Sequence, residues 1–132
     1  MIAKLAMIAV IWTTAVLPLS AHHSFASEYD SNKPVQFTGT VTKIEWTNPH
    51  ARIYVGVKDD NGAVTEWNIE LGGPLQLNRL GWRRDTVKVG DTIKVDGYAA
   101  KDGSKMANAR NVVFADGRKV FTGPQADTGP AQ

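Results

Sequence analysis

Between residues 35 and 121, apolar and polar residues alternate with a period of two, which is typical of half-buried β-strands. Turn residues interrupt the alternation, and Asn61-Gly62 is the clearest hairpin turn among them. Residues 74–80 instead have the pattern of a short helix, with Pro74 in its first turn and Gly81 as a stop. The predicted strands are residues 35–46, 51–58, 64–71, 92–98, 107–114 and 119–121.

The first predicted strand is long, and its apolar positions change phase. Phe37 and Val41 occupy odd positions, whereas Ile44 and Trp46 occupy even ones, as a β-bulge would produce. Gly39 marks a point where the strand can bend strongly. A long bent first strand, five to six strands and one short helix after the third strand predict an all-β fold, an OB-like Greek-key barrel. Another small Greek-key barrel or a sandwich is the alternative.

The first 21 residues have the pattern of a secretory signal peptide. Lys4 supplies a positive charge, a short apolar stretch follows, and Ala21 offers a small residue for cleavage. Cleavage after Ala21 would leave His22 as the first residue, whereas a second candidate position after Ala26 would remove it. We therefore expect an exported, periplasmic protein that does not span the membrane once it is cleaved.

The remaining chain divides into three predicted parts. Residues 22–34 form an N-terminal arm, residues 35–121 the barrel, and residues 122–132 a disordered tail with almost no large apolar side chain. The arm contains Phe25 and Tyr29, four residues apart, which could dock it onto the barrel. A loose N-terminal tail is the alternative.

Charge and cysteine content narrow the range of functions. Without Lys4 the formal net charge of +2 falls to +1, so the mature chain has no basic excess of the kind that nucleic acid binding needs. Export argues against nucleic acid partners independently. The chain has no cysteine, which excludes thiol chemistry and metal binding through sulfur.

Several short motifs together resemble a family of short exported bacterial proteins that is catalogued as a domain of unknown function. The resemblance covers nearly all of residues 21–123, and it implies relatives without an established activity. The first-strand motif also resembles exported bacterial OB-fold proteins more generally. The motifs are His22-His23-Ser24-Phe25, Thr38-Gly39-Thr40-Val41, Glu45-Trp46-Thr47-Asn48-Pro49-His50, Gly81-Trp82, Gly90-Asp91 and Lys101-Asp102-Gly103.

The three histidines, His22, His23 and His50, are candidate metal ligands. His50 follows the turn-forming pair Asn48-Pro49, so we expect it on a loop or at a strand mouth. If His22 begins the mature chain, its α-amine and Nδ1 can chelate a metal, and His50 or His23 can supply a third nitrogen. Such a tetragonal nitrogen site suits Cu(II). Zinc bound by all three histidines, or purely structural histidines, are the alternatives.

A metal-independent binding module is the second hypothesis, because OB-type barrels bind ligands across the face of their second and third strands. The ligand would be a component of the cell envelope or a protein partner. Alternatively, Trp67 and Trp82 are core residues and Arg83-Arg84 is a solvated pair. No convincing nucleophile and base pair is found, so we expect a non-enzymatic protein. The candidate ligand-binding residues are Tyr54, Trp67, Trp82, Arg52, Arg83 and Arg84.

Overall fold

The computed structural model describes residues 25–122, which contain six β-strands and two short helices. The predicted signal peptide, His22, His23 and the predicted tail beyond residue 122 lie outside the described residues. The elements are α1 (Phe25–Glu28), β1 (Tyr29–Glu45), β2 (Arg52–Lys58), β3 (Val64–Glu70), α2 (Pro74–Arg79), β4 (Thr92–Ala100), β5 (Met106–Phe114) and β6 (Lys119–Phe121).

The strands form one sheet in the order β3-β2-β1-β4-β5-β6, and this sheet closes on itself through a parallel pairing of β3 with β5. β1 serves both halves of the barrel, since its N-terminal part pairs with β4 and its part from Thr40 onward pairs with β2. The helix α2 follows the third strand. This topology confirms the predicted all-β, OB-like Greek-key barrel.

β1 contains both irregularities that the sequence predicts. Its register against β2 shifts between Val41 and Lys43, which confirms the predicted bulge. At Gly39 a Cβ atom would lie 2.6 Å from the carbonyl oxygen of Gly56, so a side chain cannot be accommodated there without movement of the backbone. β1 starts at Tyr29, well before the predicted start at residue 35, and part of the predicted arm therefore belongs to the barrel strand.

Apolar side chains from β1 to β5 and from α2 fill the interior of the barrel. Pro74 opens α2 and Gly81, with a φ of 93°, follows its end, as predicted. The helix buries Leu77 completely, and the chain then returns Trp82 to the core, where that side chain is only 1% exposed. Neither helix within residues 25–122 is long and apolar enough to cross a membrane.

Candidate histidine–carboxylate site

His50 lies in the connection between β1 and β2, at the edge of the barrel, as the Asn-Pro turn predicts. The next residue, Ala51, continues the ladder between β2 and β3, because its amide donates to the Gly72 carbonyl at 3.0 Å and its carbonyl accepts from the Leu71 amide at 2.9 Å. These bonds fix the backbone immediately after His50. The His50 side chain is 36% exposed, so a ligand can reach it.

Glu70, the last residue of β3, is the centre of the site. Its side chain is only 6% exposed, although it stands on the outer face of the sheet opposite Arg52. One carboxylate oxygen, Oε1, contacts His50 Nδ1, while the other, Oε2, accepts hydrogen bonds from the Tyr29 hydroxyl and from Arg52 Nη2, the latter at 3.0 Å. Arg52 also donates from Nη1 to Asn68 Oδ1 at 3.1 Å. The buried carboxylate is therefore fully hydrogen-bonded, as burial of a charged group requires.

Tyr29 is covered because the segment before it docks onto the barrel. Phe25 stacks on the Tyr29 ring at a centroid distance of 5.6 Å and contacts the edge of Tyr98 at 5.8 Å. The Lys101 amide donates to the Glu28 carbonyl at 2.9 Å, and the Lys101 ammonium donates to the Ala26 carbonyl. Residues 25–29 thus adopt the docked arrangement rather than a loose one, and they shield Glu70 from water.

The Tyr29 phenol acts as a hydrogen-bond donor in this site. Burial raises the pKa of Tyr29 well above its usual value, and both the hydrogen bond to Glu70 and the negative charge of that carboxylate act in the same direction. The phenol therefore keeps its proton across the physiological range. No buried side-chain nitrogen or oxygen among residues 25–122 lacks a hydrogen-bond partner.

The six candidate ligand-binding residues do not share one surface. Tyr54 stands on the outer face of β2, where its hydroxyl donates to Glu45 Oε2 at 3.3 Å and the Lys43 ammonium lies 4.8 Å from its ring centroid. Trp67 pairs with buried Val55 and so faces the interior. It stacks on Phe37 at a centroid distance of 4.8 Å.

The remaining four of these residues meet around a cavity of about 10 Å³, room for no more than one water molecule. Trp82 is a core side chain, so the core interpretation applies to it. Arg83 and Arg84 are exposed, and Arg83 Nη1 donates to the Trp82 carbonyl at 3.0 Å. Arg52 also reaches this cavity from the Glu70 site.

Two residues of the site, Glu70 and Tyr29, are not identified from the sequence as functional. In the linear pattern Glu70 resembles any solvated carboxylate on the polar side of a strand, yet Ile69 and Leu71 flank it and both are buried. Asn68 on the same strand is flanked in the same way by Trp67 and Ile69, so the linear pattern contains no signal that distinguishes Glu70. Among residues 25–122 no three His, Cys, Asp or Glu side chains form a group able to hold a metal ion.

The fold and the site together define a small OB-type barrel with a docked N-terminal segment and a histidine–carboxylate pair at the edge of the barrel. The chain belongs to the family of unknown function DUF6152, whose sequence profile matches residues 10–109. No curated protein sequence matches it.

Crystal structures of the mitochondrial single-stranded DNA binding protein Rim1 from S. cerevisiae are similar in fold. One form has a TM-score of 0.49 and 16% identity, covering 70% of this chain and 97% of that chain. A second form has a TM-score of 0.47 and 17% identity, covering 69% and 97%. At this level of sequence identity the similarity concerns the fold alone and gives no information about ligands.

Proposed function

We propose that this is an exported, non-enzymatic OB-fold protein of the periplasm that binds Cu(II) through His50 and the mature N-terminal histidine, His22. His23 is the alternative donor of a nitrogen. The observation that carries the proposal is that a single carboxylate, Glu70, contacts both His50 and Tyr29, the last residue of the docked segment 25–29.

The His50 ring has the arrangement of a metal-ligating histidine. Such histidines commonly give one ring nitrogen to a carboxylate, which orients the ring and makes the other nitrogen a better ligand. His50 Nδ1 contacts Glu70, and by the geometry of an imidazole its Nε2 is then directed away from that carboxylate. With 36% of the side chain exposed, Nε2 is the nitrogen that a metal can approach.

The docked segment supports the second half of the proposed site. Phe25 is packed against Tyr29, whose hydroxyl contacts the same carboxylate as His50. His22 lies three positions before Phe25 in the sequence, a span of at most about 11 Å when fully extended. We propose that a mature chain beginning at His22 uses this reach to bring its first residue to His50. Its α-amine, its Nδ1 and His50 Nε2 would offer the three nitrogens that Cu(II) prefers.

The test is a Cu(II) titration of the processed protein, purified after export, followed by electron paramagnetic resonance and by mass spectrometry under native conditions. We expect one bound Cu(II) with a three-nitrogen spectrum, which His50→Ala removes. The matched control is His23→Ala. This change keeps the terminal amine, the His22 ring and His50, so the three-nitrogen spectrum should be retained.

Two results would overturn the proposal. One is a mature protein whose first residue is Ser27, since both His22 and His23 would then be absent. The other is a protein beginning at His22 that remains metal-free with added Cu(II). A tetrahedral site that selects Zn(II) would favour the zinc alternative. Ligand binding that is unaffected by metals and depends on Tyr54 and the candidate arginines would favour the metal-independent binding module.

A further inference from the structure

We infer that Glu70 is a positioning residue that holds the His50 imidazole in the tautomer with hydrogen on Nδ1 and the lone pair on Nε2. As a statement about metal binding, this inference rests on the function proposed above. As a statement about the tautomer, it concerns the metal-free protein alone and can be tested separately.

The hydrogen-bond donors around Glu70 determine the direction of its bond to His50. Oε2 accepts from the Arg52 guanidinium at 3.0 Å and from the Tyr29 hydroxyl, and an ionised carboxylate has no hydrogen of its own to donate. A carboxylate in this state can only accept at Oε1 as well. His50 Nδ1 is then the donor in the remaining contact, and Nε2 of the neutral ring carries the lone pair.

Three separate parts of the chain hold the carboxylate in place. Tyr29 comes from the start of β1, Arg52 from the start of β2, and Glu70 itself from the end of β3. Asn68 fixes the guanidinium of Arg52 from the same face of β3. The 6% exposure of the Glu70 side chain keeps water from competing for its oxygens, so the orientation of His50 is set by protein groups.

Replacing Glu70 by glutamine keeps the size of the side chain but supplies one acceptor and one donor. Arg52 is always charged and has only donors, so the amide oxygen should remain with Arg52 and Tyr29. The amide NH₂ group would then face His50 Nδ1, which must act as an acceptor. Glu70→Gln should therefore move the hydrogen to Nε2, which must lose it again before this nitrogen can bind a metal.

The experiment measures ¹⁵N chemical shifts of histidine-labelled, metal-free protein at slightly alkaline pH, with the His50 signals assigned by comparison with His50→Ala. The wild-type protein should show the Nδ1–H tautomer, and Glu70→Gln the Nε2–H tautomer. The affinity for Cu(II) should fall about 10–100-fold in Glu70→Gln. The control is Glu66→Gln on the same strand, where the exposed carboxylate accepts a hydrogen bond from Thr42 Oγ1 at 2.9 Å. In this variant neither the His50 tautomer nor the affinity for Cu(II) should change.

The outcomes separate this inference from the proposed function. A wild-type His50 with hydrogen on Nε2, or one whose tautomer is unchanged in Glu70→Gln, overturns the inference even if Cu(II) binds. Another outcome is a wild-type Nδ1–H tautomer that depends on Glu70, in a protein that does not bind Cu(II). This result supports the positioning role of Glu70 and overturns only the proposed metal site. A purely structural role for Glu70 would change stability and leave the tautomer as it is.

Discussion

The hydrogen bond from Tyr29 to Glu70 should contribute measurably to the stability of the barrel. The two residues are 41 positions apart in the sequence and both are buried, with Tyr29 only 2% exposed. Tyr29→Phe removes the hydroxyl group and keeps the ring that packs against Phe25. The substitution therefore tests the hydrogen bond and leaves the aromatic contact in place.

The expected loss is about 2 kcal/mol of unfolding free energy. Hydrogen bonds to charged groups contribute roughly 1.5–3 kcal/mol, and the upper part of that range applies when a buried partner is left unsatisfied. Glu70 keeps its bonds to Arg52 and His50 after the substitution, so the penalty for an unpaired carboxylate is small. The lower half of the range is therefore the appropriate expectation.

The measurement is equilibrium unfolding in urea for the wild type, Tyr29→Phe and the control Tyr54→Phe. The Tyr54 hydroxyl makes a long, 3.3 Å bond to Glu45 on the outer face, and its loss should change stability by less than about 0.5 kcal/mol. A double-mutant cycle with Glu70→Gln should give a coupling energy above about 0.5 kcal/mol. If Tyr29→Phe is as mild as Tyr54→Phe, then the hydrogen bond from Tyr29 to Glu70 does not stabilise the barrel and our account of that bond is wrong.

Three further predictions concern the barrel. Gly39→Ala should cost about 1–3 kcal/mol, because its Cβ would meet the Gly56 backbone at 2.6 Å. Gly56→Ala should cost less, since the nearest atom to its Cβ would be in the Val64 side chain, at 3.2 Å. Equal losses of stability in urea unfolding would contradict this. Trp82→Ala should cost about 3–5 kcal/mol, since the ring is 1% exposed, and a neutral result would mean that it is not a core residue. The raised pKa of Tyr29 means that the folded state keeps a proton that the unfolded state loses above its ordinary pKa of 10.0. The contribution of Tyr29 to stability is thus fully present below that pH and falls as the pH rises further. The urea midpoints of the wild type and Tyr29→Phe should therefore converge at strongly alkaline pH. A difference that stays constant with pH would show that the pKa of Tyr29 is not raised.

Much of the architecture could be predicted because it depends on local patterns. Alternation with a period of two identifies each strand except for residues 29–34 of β1. The change of phase after Val41 locates the bulge, because a slip of one residue exchanges the two faces of a strand. Pro74 and Gly81 delimit α2 through their own backbone preferences. These signals need no knowledge of which strands become neighbours.

The site was predicted only in part. The Asn-Pro turn indicates that His50 is accessible, and the structure places it at the edge of the barrel with a partly exposed ring. The partner of His50 could not be predicted, because Glu70 occupies a polar position of β3 and its burial depends on residues 25–29. That Tyr54 and Trp67 face opposite sides of the sheet does follow from the alternation, because Tyr54 lies between the apolar positions of β2 whereas Trp67 is in phase with those of β3.

By itself, the order of residues determined the number and sequence of strands, the bend and bulge in the first of them, and the short helix after the third, because each depends on side-chain alternation or on the backbone preference of single residues. The tertiary structure decided which carboxylate became buried, which segment covered it and which histidine nitrogen was left for a ligand. Those outcomes depend on contacts between residues far apart in the chain, and a linear pattern contains no information on such distances until the barrel has closed.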